Sequence, residues 1–232
     1  MALILCIETA TPVCSVALVQ GDQVVALRES NDQNTHSSVL TIFIKELFQE
    51  SGLSPHDLNA VAVSKGPGSY TGLRIGVSTA KGVCYGADIP LIAINTLQSM
   101  ALGMSAEMKA SEKDMLLCPM IDARRMEVYS ALFDAEGIEV RETRAEIITT
   151  GSFNNFLDRQ RIIFFGDGAS KCSEMIMHPY AIFRYDFLPS ATHLASLAAK
   201  CYADNEFENV AYAEPFYLKD FIAGIPKVKG LL

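Results

Sequence analysis

Short apolar runs, separated by polar turns, set the rhythm of this chain. Leu3–Ile7, Cys14–Val19 and Val24–Glu29 predict three strands, and Gln20-Gly21-Asp22-Gln23 between the last two is a hairpin signal. Thr35–Gln49 carries apolar residues at helical spacing and stops before Gly52. Ala60–Ser64 predicts a strand, Thr71–Tyr85 a helix and Leu91–Ile94 a strand. Asn95-Thr96 then caps a helix running to about Met108.

After a polar, charged link (Ser105–Asp114) the order starts again. Met115–Ile121, Glu127–Phe133 and Ile138–Ile148 predict strands, with Ala135-Glu136-Gly137 as a turn. A helix over Ser152–Asp158, a strand over Arg161–Phe165, a helix over Ala169–Met177, a strand over Ala181–Phe183 and a helix over Ala191–Ala203 complete the series. Each half therefore runs through the same series of element types, an internal duplication of topology. The expected fold is α/β, with each half a mixed sheet covered by helices. The expected units are residues 1–108 and residues 109–203. Tyr212–Lys219 is expected to pack or pair as a strand, and Ile225–Leu232 to fray.

Within the helix predicted after Ser64, Gly68, Gly72, Gly76 and Ala80 recur every fourth residue. On a helix that spacing stacks them on one nearly bare face. Each helical glycine costs about 1 kcal/mol relative to alanine, so close approach by another element is the compensating reason. That element is either a tightly packed part of the same chain or a separate chain or ligand. Gly66, Gly68 and Gly72 miss the dinucleotide spacing, and Leu73-Arg74 stand where a P-loop needs Lys-Ser/Thr. In Thr35–Gln49 the residues Val39, Leu40, Phe43, Ile44 and Leu47 already supply a core-facing stripe, and Ile42 extends beyond it. Leu73, Ile75, Val77 and Val83 flank the glycine face. The expectation is a partner interface built from Val39, Leu40, Phe43, Leu47, Gly68, Gly72, Leu73, Gly76, Val77 and Ala80.

Composition narrows the function classes. The 232 residues carry a net charge of −8, which argues against an unaided nucleic-acid binder. The six cysteines are scattered without a C-x-x-C pair, as expected for buried thiols in a reducing compartment. The first residues do not look like a signal peptide, and no apolar run approaches the ~20 residues of a membrane span. The expected location is the cytoplasm.

Glu8 and Asp122 end the first strands of the two halves, where carboxylates could organise Mg²⁺ and water. Gly166, Asp167 and Gly168 follow another strand, and either complete a vestigial nucleotide site with that pair or simply make a turn. Both carboxylates also fit the plainer role of polar strand ends. Thr9-Ala10-Thr11-Pro12 is a poor phosphate cradle, having no glycine and a proline without a donor. Arg124 and Arg125 are most simply a solvated turn. No catalytic residue is assigned.

Five segments in order resemble the bacterial TsaB family: ILCIETATPVCSVAL at 4–18, the glycine-rich stretch 66–82, IDARRMEVYSAL at 121–132, GDGA at 166–169 and PFYLK at 215–219. The resemblance implies two ribonuclease-H-like halves of the actin-like ATPase superfamily, with the tail 204–232 returning to the first. It also implies a non-catalytic subunit that dimerises with TsaD and activates it. That machinery makes N6-threonylcarbamoyladenosine in tRNAs that read ANN codons. A TsaE-like ATPase belongs to the larger complex, ATP or ADP enters at the level of the complex, and tRNA is met only through it. Isolated family members self-associate through the same helices, so a homodimer is expected alone. TsaD holds its metal with an H-x-x-x-H pair; here position 40, four after His36, is leucine, and His36 reads as a polar first-turn residue. No metal is therefore assigned, and a glycoprotease-like metallopeptidase is the weakest alternative. The stronger rival is an actin-like kinase or ATPase using Glu8 and Asp122.

Overall fold

A computed structural model describes residues 1–21, 23–32 and 36–218. Asp22 of the expected hairpin turn, Thr35 at the expected helix start, Lys219 and the expected frayed end 225–232 lie outside the described residues. The first sheet contains β1 (Leu3–Glu8), β2 (Cys14–Gln20), β3 (Gln23–Ser30), β4 (Ala60–Gly66) and β5 (Leu91–Asn95), in the order β3-β2-β1-β4-β5. The second contains β6 (Leu116–Asp122), β7 (Glu127–Phe133), β8 (Glu139–Ile147), β9 (Ile162–Phe165) and β10 (Ala181–Arg184), in the order β10-β9-β6-β7-β8. Counted within each half, the spatial order is identical: third, second, first, fourth, fifth. In both, the first three strands form an antiparallel meander and the last two run parallel to the first. The duplication expected from the pattern is present in both sheets.

The helices are α1 (His36–Ser51), α2 (Tyr70–Ala87), α3 (Thr96–Glu107), α4 (Asn154–Leu157) and α5 (Ala195–Ala203). α1 and α2 cover one face of the first sheet, burying Leu40, Ile44, Leu47, Val77, Ala80 and Cys84 against Leu5, Ile7, Val16 and Val63. Each such large apolar side chain contributes about 1.5–3 kcal/mol by leaving water.

The other two long helices do not stay with the half that encodes them. α3 lays Leu97, Met100, Ala101 and Met104 against Leu117, Ala131, Phe133 and Phe165 of the second sheet. The turn Ala191–Leu194 and α5 cross back, placing Ala191, Leu194, Ala195 and Ala198 against Ile4, Cys6, Ala62 and Ile94 of the first. Where the crossing segments meet, a Cβ on Gly103 would lie closer than 3.0 Å to the His193 ring. The division at 108/109 thus separates the sheets but not the packing units: a helix from each half covers the other's sheet.

A second correction concerns Ala169–Met177, expected as a helix. It is a succession of single turns around the 3₁₀ segment Ser170–Cys172, with Cys172 N donating to Ala169 O and Met175 N to Cys172 O. Within it the Lys171 ammonium is bound to Asp122 and to the Glu127 carbonyl. The described part of the tail packs on the first lobe. Glu208 N donates to Leu91 O at the β5 edge, and Phe216 N donates to Lys65 O at 2.6 Å. The Lys81 ammonium gathers the carbonyls of Ala211 and Ala213. Tyr212–Leu218 packs without forming a strand.

Candidate functional site

The lobes enclose a cleft of about 770 Å³. Its walls come from the β1–β2 loop (Ala10, Thr11, Pro12), the start of α2 (Ser69–Gly72), the β6–β7 hairpin (Asp122–Arg124) and the tail (Phe216–Leu218). Asp122 and Asp167 line it, whereas Glu8, Gly166 and Gly168 do not. The structure therefore does not assemble the five expected nucleotide-site residues on one wall.

Glu8 ends β1 and is fully buried, although its counterpart Asp122 ends β6 exposed. Glu8 Oε1 accepts from Ala10 N at 2.6 Å, while Oε2 and the Ser64 hydroxyl lack a partner of regular geometry. Burial pushes the Glu8 carboxyl up to about 7; the Ala10 N–H and the nearby Ser64 hydroxyl oppose that shift. A fully buried carboxyl packed away from the cleft is not placed to hold Mg²⁺. Asp122 is occupied too: Oδ1 takes the Lys171 ammonium at 2.6 Å and the Arg124 N–H at 2.6 Å. Asp122 N donates to Asp167 Oδ1 at 3.0 Å. Gly166, at φ +96°, and Gly168 let the chain lie directly on β6, since a Cβ on either would strike the Met120 carbonyl or the Ile121–Asp122 backbone. They are turn residues pressed on a strand.

At three of its positions the loop that would cradle phosphate offers no spare N–H. Ala10 N is held by Glu8, Val13 N donates to Thr11 Oγ1, and Pro12 has no N–H. The Thr9 hydroxyl and the carbonyls of Thr9 and Ala10 face α2. Thr9 Oγ1 donates to Gly72 O at 2.9 Å, and Ala10 O accepts from Ser69 N at 2.7 Å. A Cβ on Gly68 would collide with Ala10 O, on Gly72 with Thr9 O, and on Gly76 with Thr9 Oγ1, each closer than 3.0 Å. The glycine face is therefore filled by the chain's own β1–β2 loop. This corrects the expectation that Gly68, Gly72 and Gly76 present a bare face to a partner. Leu40, Leu47, Leu73, Val77 and Ala80 of the same expected set are also inside the monomer, none more than 5% exposed.

The outward side of the two helices is different. Val39, Phe43, Ile75 and Val83 are only partly covered, and Ile42 is 51% exposed. On α2, Thr71, Ser78, Gly82, Tyr85 and Gly86 are exposed, and a Cβ on Gly82 or Gly86 would meet nothing within 4 Å. Two exposed helical glycines cost about 1 kcal/mol each, and among the described residues nothing packs against them. The other flank of α2 is taken by the tail. The Arg74 guanidinium lies 4.0 Å from the Tyr70 ring centroid, its Nε donates to Tyr217 Oη at 3.1 Å, and the two tyrosine rings are 5.2 Å apart.

Arg124 and Arg125 form the β6–β7 turn with φ of +72° and +52°, a left-handed pair that usually selects glycine or asparagine. Both are exposed, as a solvated turn requires. His36 departs from expectation. It opens α1 but is buried, with Nε2 at 2.9 Å from Thr11 O and 3.2 Å from Val13 O. Sequence reasoning also missed Thr9 and the Arg74–Tyr217 pairing. Thr9 was visible only as part of a poor phosphate loop; Arg74–Tyr217 spans 143 positions and leaves no local signal. Among the described residues no cluster of three His, Cys, Asp or Glu side chains could hold a metal, and no helix is long and apolar enough to cross a membrane.

Two lobes of this shape, joined by exchanged helices around a cleft, define the actin-like, ribonuclease-H-like class. A dehydratase activator from Clostridium difficile with bound ADPNP shares that fold, with TM-score 0.51 at 9% identity over 89% of this chain and 98% of its own. A Pseudomonas aeruginosa protein described as similar to the peptidase YeaZ superposes with TM-score 0.82 at 25% identity, covering 94% of this chain and all of its own. The family model described as "TsaD: tRNA N6-adenosine threonylcarbamoyltransferase" matches residues 29–227. The Escherichia coli K12 tRNA threonylcarbamoyladenosine biosynthesis protein TsaB is 31% identical over 95% of this chain and 96% of its own. The chain belongs to the TsaB family.

Proposed function

We propose that this chain is a non-catalytic subunit of the machinery that makes N6-threonylcarbamoyladenosine in tRNA. It docks on a TsaD-type catalytic partner through the outward faces of α1 and α2 and activates it. The observation that carries this reading is the half-covered apolar seam of Val39, Ile42, Phe43 and Ile75 beside the open backbone at Gly82. Such a surface lets a partner's helices approach closely while burying apolar area, the combination that stable interfaces use. Of the set first expected there, Val39 and Phe43 remain; the rest support the surface from within. In the absence of the partner the same seam pairs two copies of this chain.

An active role in phosphoryl transfer has less support. Glu8 faces the core, Asp122 is paired with Lys171, and in the β1–β2 loop Ala10 N and Val13 N are committed while Pro12 has no N–H. The charge of −8 fits tRNA being held by the partner, with a TsaE-like ATPase and ATP or ADP entering at the complex. The test is threonylcarbamoyl transfer to tRNA by TsaD from the same organism, with and without this chain. Transfer that requires both supports the reading. Full activity of TsaD alone, or ATP turnover by this chain that Glu8→Ala and Asp122→Ala abolish, contradicts it.

A further inference from the structure

We propose that the β1–β2 loop, residues 9–13, is a clamp that fixes α1 and α2 relative to each other, with Thr9 and His36 as positioning residues for partner docking. The inference rests on the docking reading above and names what holds that surface in shape.

One short loop reaches both helices by separate bonds. Toward α2, Thr9 Oγ1 donates to the Gly72 carbonyl, and Ala10 O accepts from Ser69 N, the residue that caps the helix. The glycine spacing brings the α2 backbone onto Thr9 and Ala10, so the helix seats on the loop with no side chain between them. Toward α1, His36 is the first residue of the helix, and its buried Nε2 reaches the carbonyls of Thr11 and Val13. Between those attachments Pro12 fixes one φ angle and Thr11 Oγ1 closes a local turn on Val13 N.

α1 and α2 share one apolar core on the sheet and also touch each other, with Phe43 and Ile75 half-buried at the rim of that core. A bond from the loop to the N-terminal end of each helix adds a fixed point to that packing and holds their register. A docking surface made of two helices depends on it, because interface cores pack as densely as protein interiors and small relative shifts forfeit contacts.

Removing one bond while keeping side-chain shape is therefore expected to weaken partner binding more than it weakens the fold. The variants are Thr9→Val and His36→Phe, with Thr9→Ser and His36→Gln retaining a donor, and Gly82→Arg to block the seam itself. Affinity for TsaD from the same organism is measured by calorimetry well below each variant's melting temperature. Hydrogen exchange of the first turns of α1 and α2 is followed in the free protein. Thr9→Val and His36→Phe are expected to bind about tenfold more weakly and exchange faster, and the Ser and Gln variants to stay within about threefold of the native protein. Native affinity and exchange in folded Thr9→Val and His36→Phe, with Gly82→Arg unable to bind, would overturn the clamp alone. Should one of the two fail to fold, the other decides. Native affinity in Gly82→Arg would instead overturn the docking reading and the clamp with it.

Discussion

The Thr9 hydroxyl donates to the carbonyl of Gly72 at 2.9 Å, and one helical turn further on a Cβ at Gly76 would occupy the space of that same hydroxyl. The first residue of the β1–β2 loop is thereby locked into the glycine face of α2.

This relationship predicts an asymmetric rescue. Gly76→Ala meets the Thr9 side chain and should cost about 1–3 kcal/mol by overpacking. Adding Thr9→Ala removes the colliding oxygen and should recover at least about 1 kcal/mol of that loss. Gly72→Ala meets the Thr9 backbone carbonyl, which no side-chain change removes, so Thr9→Ala should not rescue it. Chemical denaturation of the three single variants, the two double variants and the native chain measures both cycles; equal rescue at 72 and 76 would contradict the geometry.

Glu8 predicts a pH dependence of stability. Its folded value, raised from 4.5 to about 7 by burial, means the folded state holds a proton that the unfolded state releases. That contribution is fully present below pH 4.5, declines as pH rises, and is lost above about 7. The full swing is on the order of 3 kcal/mol. Glu8→Gln keeps the shape without the titration, so denaturant midpoints between pH 5 and pH 8 (about the window's two ends) should change less than in the native chain. A native stability that rises across that window would contradict the burial of an acid there.

Nucleotide binding gives a third prediction. Lys171 already neutralises Asp122, and in the β1–β2 loop the N–H groups of Ala10 and Val13 are committed. Millimolar Mg·ATP should therefore leave the melting temperature of the isolated chain unchanged. A site with micromolar affinity would add about 4 kcal/mol at a thousandfold excess over its dissociation constant, and a clear upward shift would contradict the account.

The tail supplies a fourth. Lys81→Met removes the ammonium that gathers Ala211 O and Ala213 O, and Tyr217→Ala removes the partner of Arg74 Nε. Both should speed amide exchange over residues 208–217 by about tenfold or more, with the β1 and β4 amides unchanged. Native exchange over the tail in both variants would contradict its docking on α2.

Much of the fold was legible because apolar runs and turn signals are local. β1–β3 and β6–β8 announce themselves as meanders, and the repeat of element types matches the repeated sheet order. The exchange of α3 and α5 was not legible. Nearly all of α3 from Thr96 to Ser105 is buried, so its pattern names no single face and gives no hint of which sheet it covers. The glycine spacing at 68, 72 and 76 correctly demanded a close neighbour. Which neighbour depended on the path of Thr9 and Ala10, some sixty positions earlier, and spacing carries no such information. Glu8 and Asp122 are equivalent in the repeat yet opposite in burial, because the side chain of Glu8 is sealed beside Ser64 while Asp122 opens on the cleft.

The central claim is that α1 and α2 dock a TsaD-type partner by their outward seam. The most direct measurement is complex formation between TsaD from the same organism and purified Ile42→Asp and Gly82→Arg, each shown folded by circular dichroism. Both positions face solvent in the lone chain, so both variants should fold normally and bind at least about a hundredfold more weakly than the native protein. Native affinity in both variants would place the interface elsewhere and contradict the account.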